Sequence, residues 1–309
     1  MTWMITGAGG QVGQVGQCLQ QALKQSRRRI IALSHSALDI TNETLLLRVL
    51  EASKPLVVFN CAAYTHLDKA EQQPERAWSV NAKAPSALAR WCNDNDAWLI
   101  HLSSDYVFSG WMADAYSESA LPCPLSEYGR SKLAGEQAIM ETCAKAIVIR
   151  TGWLFSQYGK NPLSGLLNNA QKSQRINIAS DAYVSPTPAV ALAEAMMQIA
   201  NLAEQGRIPR GRYHFAGTPT ASTYLFAGEV LRQAQGFGLI DQHCRLIPEP
   251  LNQPGSGAKR PHNSALVSQK LPELGIYPPD WRTELSLTLE VIKEQQSQQE
   301  YRLCQGFAS

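Results

Sequence analysis

Trp3-Met4-Ile5-Thr6-Gly7-Ala8-Gly9-Gly10-Gln11-Val12-Gly13 is the stretch whose reading decides the fold. A short apolar run ends directly on Gly7, and Gly7, Gly10 and Gly13 then follow at G-x-x-G-x-x-G spacing as a helical pattern begins. Glycine at such a turn permits a tight bend and lets the backbone approach a pyrophosphate, which rests on the first amides of the following helix. Gly7, Gly10, Gln11, Val12 and Gly13 are therefore expected to touch a dinucleotide. One irregularity sits inside the loop: Gln11-Val12-Gly13 is repeated at once as Gln14-Val15-Gly16. Gly10, Gly13 and Gly16 satisfy the spacing as well. Gly7 is preferred as the first glycine because it ends the strand, and three extra residues add nearly one helical turn.

Outward from this loop, compact runs rich in Ile, Val and Leu recur at Trp3–Thr6, Arg29–Leu33, Leu56–Asn60, Trp98–Leu102 and Ala146–Arg150. They have the texture of buried parallel strands. Amphipathic stretches alternate with them: Gln11–Lys24, Asn42–Ala52, Glu71–Asn93 and Ser126–Thr142. The alternation predicts an α/β fold, a Rossmann-type doubly wound parallel sheet with right-handed crossovers. Beyond Arg150 prolines and turns multiply, and only Val190–Glu204, Thr223–Gln235 and Trp281–Gln295 read as helices, with Gly211–Ala216 as one further strand. The expected organisation is a cofactor domain over 1–150. A smaller C-terminal α/β substrate-binding region follows over 151–309, some of its segments returning to the first domain.

Composition narrows the function. The 309 residues are 44% apolar with a formal net charge of +2, and Arg27-Arg28-Arg29, the densest basic run, reads as an exposed turn. Nucleic acid is not an expected partner. Seven scattered cysteines, odd in number and without C-x-x-C spacing, argue for a reducing compartment and against a disulfide framework or zinc site. Met1–Gly7 lacks the charged and apolar regions of a signal peptide, and no apolar run reaches about 18 residues. A cytoplasmic protein without a membrane partner is expected, with no metal ligands placed.

In dinucleotide folds an acidic residue closing the second strand binds the ribose 2′-hydroxyl and repels a 2′-phosphate. Here that strand closes with Leu33-Ser34-His35-Ser36 and carries no acid. The absence favours NADPH, with NADH still allowed, although no arginine evidently replaces the acid. Asp39 and Ile40 are candidates for the adenine edge, and Asp39 reads equally well as a cap for a helix beginning near Thr41. Tyr128 and Lys132 stand four apart in a helical stretch, so their side chains share a face. A neighbouring ammonium is expected to lower the phenol pKa, letting Tyr128 give a proton to a carbonyl oxygen as hydride reaches its carbon. Ser104, closing the fourth strand, donates a hydrogen bond to the same oxygen. Ser104, Tyr128 and Lys132 form the candidate catalytic set.

Longer strings carry a resemblance. Asn60-Cys61-Ala62-Ala63-Tyr64-Thr65 with Asp68-Lys69-Ala70-Glu71, Val80-Asn81-Ala82, His101–Phe108, Tyr128–Leu133 with Gly135-Glu136, Arg150–Trp153, Pro186-Thr187 and Arg260–Ser264 occur in order along nearly the whole chain. They resemble the dTDP-4-dehydrorhamnose reductase family of the extended short-chain dehydrogenase/reductase superfamily. The resemblance implies reduction by NAD(P)H of the 4-keto group of a dTDP-6-deoxy-hexulose, the last step to dTDP-L-rhamnose, in nucleotide-sugar and cell-surface polysaccharide biosynthesis. It implies that Ala62, Ala63 and Tyr64 line the cofactor, along with Tyr128 and Lys132, and that Ser104, Asp105, Tyr106, Trp153 and Arg260 meet the nucleotide-sugar substrate. Trp153 packs on the sugar in this reading. Arg260 lies near the nucleotide part, where a planar guanidinium suits a diphosphate. A homodimer is compatible with the family, some of whose members bridge subunits through metal.

The chain departs from the family at Ser104, where threonine is usual, at Ser109 for aspartate, at Gly152 for serine and at Asn161-Pro162 for Asn-Phe. These changes fall mostly on substrate-facing loops and leave two other readings open: a reductase of a different nucleotide 4-keto sugar, and a non-catalytic NADP-binding regulatory subunit of the same fold. An epimerase or dehydratase is disfavoured because Ser104 is followed by Asp105-Tyr106 rather than an acidic pair.

Overall fold

The computed structural model describes residues 2–9, 13–23, 28–240, 244–252 and 257–306. Gly10, Gln11 and Val12, expected in the cofactor loop, lie outside the described residues. The first half runs β1 (Thr2–Thr6), α1 (Gly13–Leu23), β2 (Arg29–Leu33), α2 (Glu43–Ser53), β3 (Val57–Asn60), α3 (Leu67–Gln72), α4 (Pro74–Trp78), α5 (Ala84–Asp94), β4 (Trp98–Ser104), α6 (Glu127–Thr142) and β5 (Ala146–Thr151). The second half runs β6 (Leu154–Phe155), α7 (Pro162–Lys172), β7 (Arg175–Ala179), β8 (Tyr183–Val184), β9 (Thr187–Pro188), α8 (Ala189–Glu204), β10 (Gly211–His214), β11 (Ala221–Ser222), α9 (Thr223–Gly236), β12 (Arg245–Glu249), α10 (Lys270–Glu273) and α11 (Trp281–Gly306).

Six strands form one sheet in the order β10-β5-β4-β3-β1-β2, every pair parallel. Crossovers from β1 to β2 and from β2 back to β3 travel in opposite directions, so a crevice opens between the C-terminal ends of β1 and β3, where such sheets bind ligands. The central strands begin as apolar runs because helices cover both faces, and carry buried polar groups such as Asn60, His101, Ser104 and Arg150 in their C-terminal halves. On one face Trp3, Ile5, Val15, Leu19, Phe59, Ile147, Met196 and Ile199 are buried together. On the other, Met4, Leu46, Leu50, Val58, Leu88, Trp91, Leu99 and Val148 form a second core with α2, α5 and α6.

The C-terminal half does not stand apart from this sheet. β10 pairs with β5 in register Gly211↔Ile147 to His214↔Arg150, and α8 packs on α1. A third core of Phe155, Leu163, Phe226, Val230, Trp281 and Leu285 joins α7, α9 and α11, beside a parallel β7–β12 pair. Among the described residues no helix is long and apolar enough to cross a membrane.

The helix expected over Glu71–Asn93 is divided. Pro74 has no amide hydrogen with which to continue α3, so it opens α4 at the first helical position instead. A π-helical turn over Ser79–Lys83 then separates α4 from α5. It points Asn81 inward, where Asn81 Oδ1 accepts from the Tyr64 amide at 2.8 Å while its Nδ2 donates to Tyr64 O and Ser131 Oγ, both at 3.0 Å. Such turns recur beside functional sites, and this one fixes the loop that carries Tyr64. The helix expected near Thr41 begins at Glu43, with Asn42 as its cap accepting from the Leu45 amide.

Candidate active site

β4 extends two residues beyond the expected Leu102, pairing Ser103 with Arg150 and Ser104 with Thr151. Ser104 therefore stands at the C-terminal rim of the sheet. Asp105–Val107 coil into a 3₁₀ turn whose Tyr106 amide donates to Ser104 Oγ at 3.1 Å. α6 starts against that turn. Ser126 caps it by accepting from the Gly129 amide, and a Cβ on Gly129 would fall 2.2 Å from Tyr106 O, so only glycine permits the approach. Tyr128, in the first turn of α6, thereby lines the same cavity as the Ser104 hydroxyl. The Tyr106 ring supports it edge-on at 6.0 Å.

Lys132, one turn on, is almost wholly buried, and its Nζ donates to Leu102 O at 2.6 Å and lies 3.3 Å from His101 Nε2. Burial pushes its pKa down to about 8, against the pull of Glu136. The Tyr128 phenol differs from the reading of the sequence. Burial pushes it up to about 12, with the nearby Ser104 hydroxyl pulling the other way. The lysine head is occupied with β4 main chain and His101, so desolvation sets the phenol.

These groups face a cavity of about 260 Å³, lined by Ser104, Asp105, Tyr106, Tyr128 and Trp153 among others. Asp105 is buried; its Oδ1 accepts from Ser104 Oγ at 2.9 Å while its Oδ2 has no partner among the described residues, and burial raises its pKa to about 6, with the nearby Ser264 and Ser104 hydroxyls pulling the other way. Gly152 makes room for it: a Cβ there would sit 2.4 Å from the carboxyl. We expect Gly152→Ala to displace Asp105 and cost about 1–3 kcal/mol of stability, the usual range for overpacking. Unfolding in denaturant checks this, and an unchanged midpoint would show that the carboxyl yields freely. Trp153 holds an uncommon positive φ of 43° and meets Phe226 edge-on at 5.6 Å, leaving its other edge to the cavity. Arg260 is not on the cavity wall. Its Nη2 lies 3.3 Å from Asp68 Oδ2, and the Ala258 amide donates to Asp68 Oδ1 at 3.0 Å, which ties the 257–260 loop to α3.

A second cavity of about 630 Å³ follows the β1–β3 crevice and is lined by Gly7, Asp39, Ile40, Ala62, Ala63 and Tyr64. Gly7 takes φ +72°, and a Cβ on it would lie 2.6 Å from Ala62 backbone, so a side chain would fill the cradle. Asp39 serves both of its readings: it lines the cavity and accepts from the Thr41 amide and hydroxyl at 3.0 and 2.7 Å. Partial burial pushes its carboxyl up, but the Thr41 bonds outweigh that and hold it below its usual range. Gly13 is the first residue of α1, and the close helix contact falls on Gly16, where a Cβ would sit 2.9 Å from Ala8 Cα.

Several lining residues escaped the sequence reading. Gln14, from the duplicated Gln-Val-Gly, is buried; its Oε1 accepts from Ser156 Oγ at 2.8 Å and its Nε2 donates to Lys160 O at 3.1 Å. It ties α1 to the 156–160 loop, and Lys160 itself reaches the smaller cavity. His35 and Arg76 line the larger one, with the Arg76 guanidinium 5.9 Å over the Tyr64 ring. The duplication was visible as a signal. Arg76 was not, because the fold alone brings α4 to the end of β2.

Comparison with known proteins agrees with this geometry. Residues 1–294 match the family model described as the RmlD substrate binding domain. The chain is 34% identical over 284 residues to the dTDP-4-dehydrorhamnose reductase of Aggregatibacter actinomycetemcomitans, covering 91% of this chain and 96% of that one. A dTDP-4-dehydrorhamnose reductase structure from Clostridium acetobutylicum superposes with a TM-score of 0.87 at 29% identity, covering 95% of this chain and all of that one (100%). The Bacillus anthracis enzyme, solved in complex with NADP, gives 0.85 at 29% identity over 93% and 98%.

Proposed function

The chain belongs to the dTDP-4-dehydrorhamnose reductase family, and from that premise we propose how its own residues divide the work of reducing dTDP-4-dehydrorhamnose to dTDP-L-rhamnose with NADPH. The observation that carries the reading is that Ser104 and Tyr128 line one cavity, with Lys132 one helical turn behind the tyrosine. The larger cavity and its glycine cradle suit a dinucleotide. Gly7 admits the backbone approach, Ala62, Ala63 and Tyr64 form the floor, and Asp39 and Ile40 meet the adenosine end.

NADPH, when bound, supplies the hydride to the 4-keto carbon. Ser104 directs its hydroxyl at the ketone oxygen and polarises it. Tyr128 delivers the proton to that oxygen from its hydroxyl. A phenol held near 12 stays loaded at neutral pH and still yields its proton to an incipient alkoxide. Trp153 and Asp105 border the space for the sugar, and Arg260, paired with Asp68 away from the cavity wall, turns from Asp68 to the diphosphate of the substrate. In this reading the segment from Thr151 to Pro162 supplies one part of the substrate wall and the first 150 residues the other. The enzyme works in the cytoplasm, as a homodimer.

Turnover tests the proposal directly. Purified protein mixed with NADPH and the 4-keto sugar nucleotide should consume NADPH and form the reduced sugar. Cofactor binding without turnover over a panel of 4-keto sugar nucleotides would establish the regulatory-subunit reading instead.

Cofactor choice gives a second test. With no acid after β2, His35 and Arg76 are the basic groups beside the adenosine end of the cavity, and they are placed to take a 2′-phosphate. Arg76→Ala is expected to lower kcat/KM for NADPH by about 1.5–3 kcal/mol, roughly 10- to 150-fold, the range for a hydrogen bond to a charged group. Values for NADH should barely change. An equal loss for both cofactors would remove Arg76 from the discrimination.

A further inference from the structure

Behind the catalytic lysine runs a line of buried polar groups that the hydride chemistry does not use. Asn60, closing β3, and His101, in β4, are both fully buried. Asn60 Oδ1 accepts from the Ala62 amide at 3.2 Å and from Thr6 Oγ1 at 2.8 Å. Asn60 Nδ2 lies 3.0 Å from His101 Nδ1, and His101 Nε2 lies 3.3 Å from Lys132 Nζ.

The direction of every bond in this line follows from its first member. A backbone amide nitrogen only donates, so the atom of Asn60 facing Ala62 is the oxygen, and the atom facing His101 is the NH₂ nitrogen. An amide NH₂ also only donates, so His101 Nδ1 accepts. A neutral imidazole with a bare Nδ1 carries its hydrogen on Nε2, aimed at Lys132. An ammonium has no lone pair with which to accept that hydrogen; a neutral amine has one, and keeps hydrogens for Leu102 O. We propose that Ala62, Asn60 and His101 form a hydrogen-bond line of fixed polarity that opposes protonation of Lys132, making Asn60 and His101 positioning residues for the lysine.

The other groups facing Lys132 fit this arrangement. Burial keeps His101 far below its ordinary pKa, and whatever positive charge Lys132 carries pushes the same way, so it is not an imidazolium. Cys61, beside it, is pushed up to about 12 by burial and is an uncharged thiol at neutral pH. Glu136 favours a lysine proton, but its carboxylate is engaged by Arg150, which donates to both oxygens, and by Ser103 Oγ at 2.5 Å. Tyr128 stays protonated on the same helix face. To carry a proton on Lys132, the line must reverse at His101 and break its bond to Asn60.

The kinetic arm of the test rests on the reductase reading; the spectroscopic arm does not. Two-bond ¹⁵N–¹H correlation spectra of the cofactor-free protein distinguish the tautomers of its histidines, with His101 assigned from a His101→Gln sample. Above about pH 8, where Lys132 is the neutral amine, we expect the Nε2–H tautomer, held up to the pH at which the protein unfolds. An Nδ1–H tautomer or an imidazolium in that range overturns the proposal. Asn60→Asp accepts from Nδ1–H, and the amide of His101→Gln can turn its oxygen to Nζ, so both remove the fixed polarity. In both variants the limb of kcat/KM for NADPH that reports the lysine should move up by about one unit or more, a tenfold gain in proton affinity. An unmoved limb in folded, active variants overturns it. If the protein proves to have no turnover, the reductase reading fails alone, and the tautomer still decides this one.

Discussion

Tyr128→Phe is expected to lower turnover by about 10²- to 10⁴-fold, the usual contribution of a positioned general acid, with the fold and NADPH affinity little changed. The substitution removes one hydroxyl and keeps the ring that packs edge-on with Tyr106 at 6.0 Å. Ser104 retains its donation to Asp105 Oδ1 at 2.9 Å, so no new polar group is left buried without a partner. Stability should therefore fall by no more than the net worth of a hydrogen bond, about 1 kcal/mol. Single-turnover rates with NADPH and the keto sugar, beside a binding titration for NADPH, separate chemistry from affinity. A near-normal rate would mean that another group delivers the proton. Asp105, buried in the same cavity with its pKa raised to about 6, would be the first to examine.

The sequence carried the sheet and the catalytic trio for a physical reason. Parallel strands buried on both faces must be apolar runs, and a helix that places Tyr128 and Lys132 on one face must space them by a turn. Both demands are local and leave a periodic trace. What escaped notice is set by contacts distant in the chain. β10 was legible as a strand at Gly211–Ala216, but its pairing with β5, across some sixty residues of sequence, was not. The π-turn at Ser79–Lys83 has no sequence period of its own, and only Pro74 hints that the helix is broken. The lowering expected for the Tyr128 phenol assumed a lysine head free to act on it. Sequence spacing put the two side chains on one face but did not reveal that Leu102 O and His101 engage the lysine nitrogen, or how far the phenol is desolvated. Arg76 and Gln14 reach the cavities only because tertiary structure carries α4 and α1 there. Arg260 is in the right quarter of the molecule but turned to Asp68, an ion pair that no spacing in the sequence marks.

The second large effect concerns stability and leads back to the lysine. Arg150 and Glu136 are both almost wholly buried, with Nη2 to Oε2 at 2.6 Å and Nε to Oε1 at 2.9 Å. Arg150 also stacks over Phe108 at 5.1 Å. Removing one partner of such a pair strands the other charge in a dry interior, which costs about 3–5 kcal/mol, far beyond the value of the pair against an apolar replacement. Arg150→Met should therefore lower unfolding free energy by that amount. Glu136 would keep only Ser103 Oγ and the half-exposed Arg212, 3.3 Å away. The double variant Arg150→Met with Glu136→Leu should recover most of the loss, since no buried charge remains. Denaturant unfolding of the two single variants and the double variant closes the cycle. A single-variant cost below about 1 kcal/mol would instead mean that water reaches the pair, as at a surface ion pair. The cycle has a catalytic counterpart. With Arg150 gone, the Glu136 carboxylate acts undivided on Lys132 and should raise the lysine's proton affinity. Glu136→Leu should lower it, because the one nearby negative charge that favours the ammonium has been removed. The Arg150–Glu136 pair thus ties the packing of β5 against α6 to the proton state of the residue behind the catalytic tyrosine, and its two members should move that state in opposite directions.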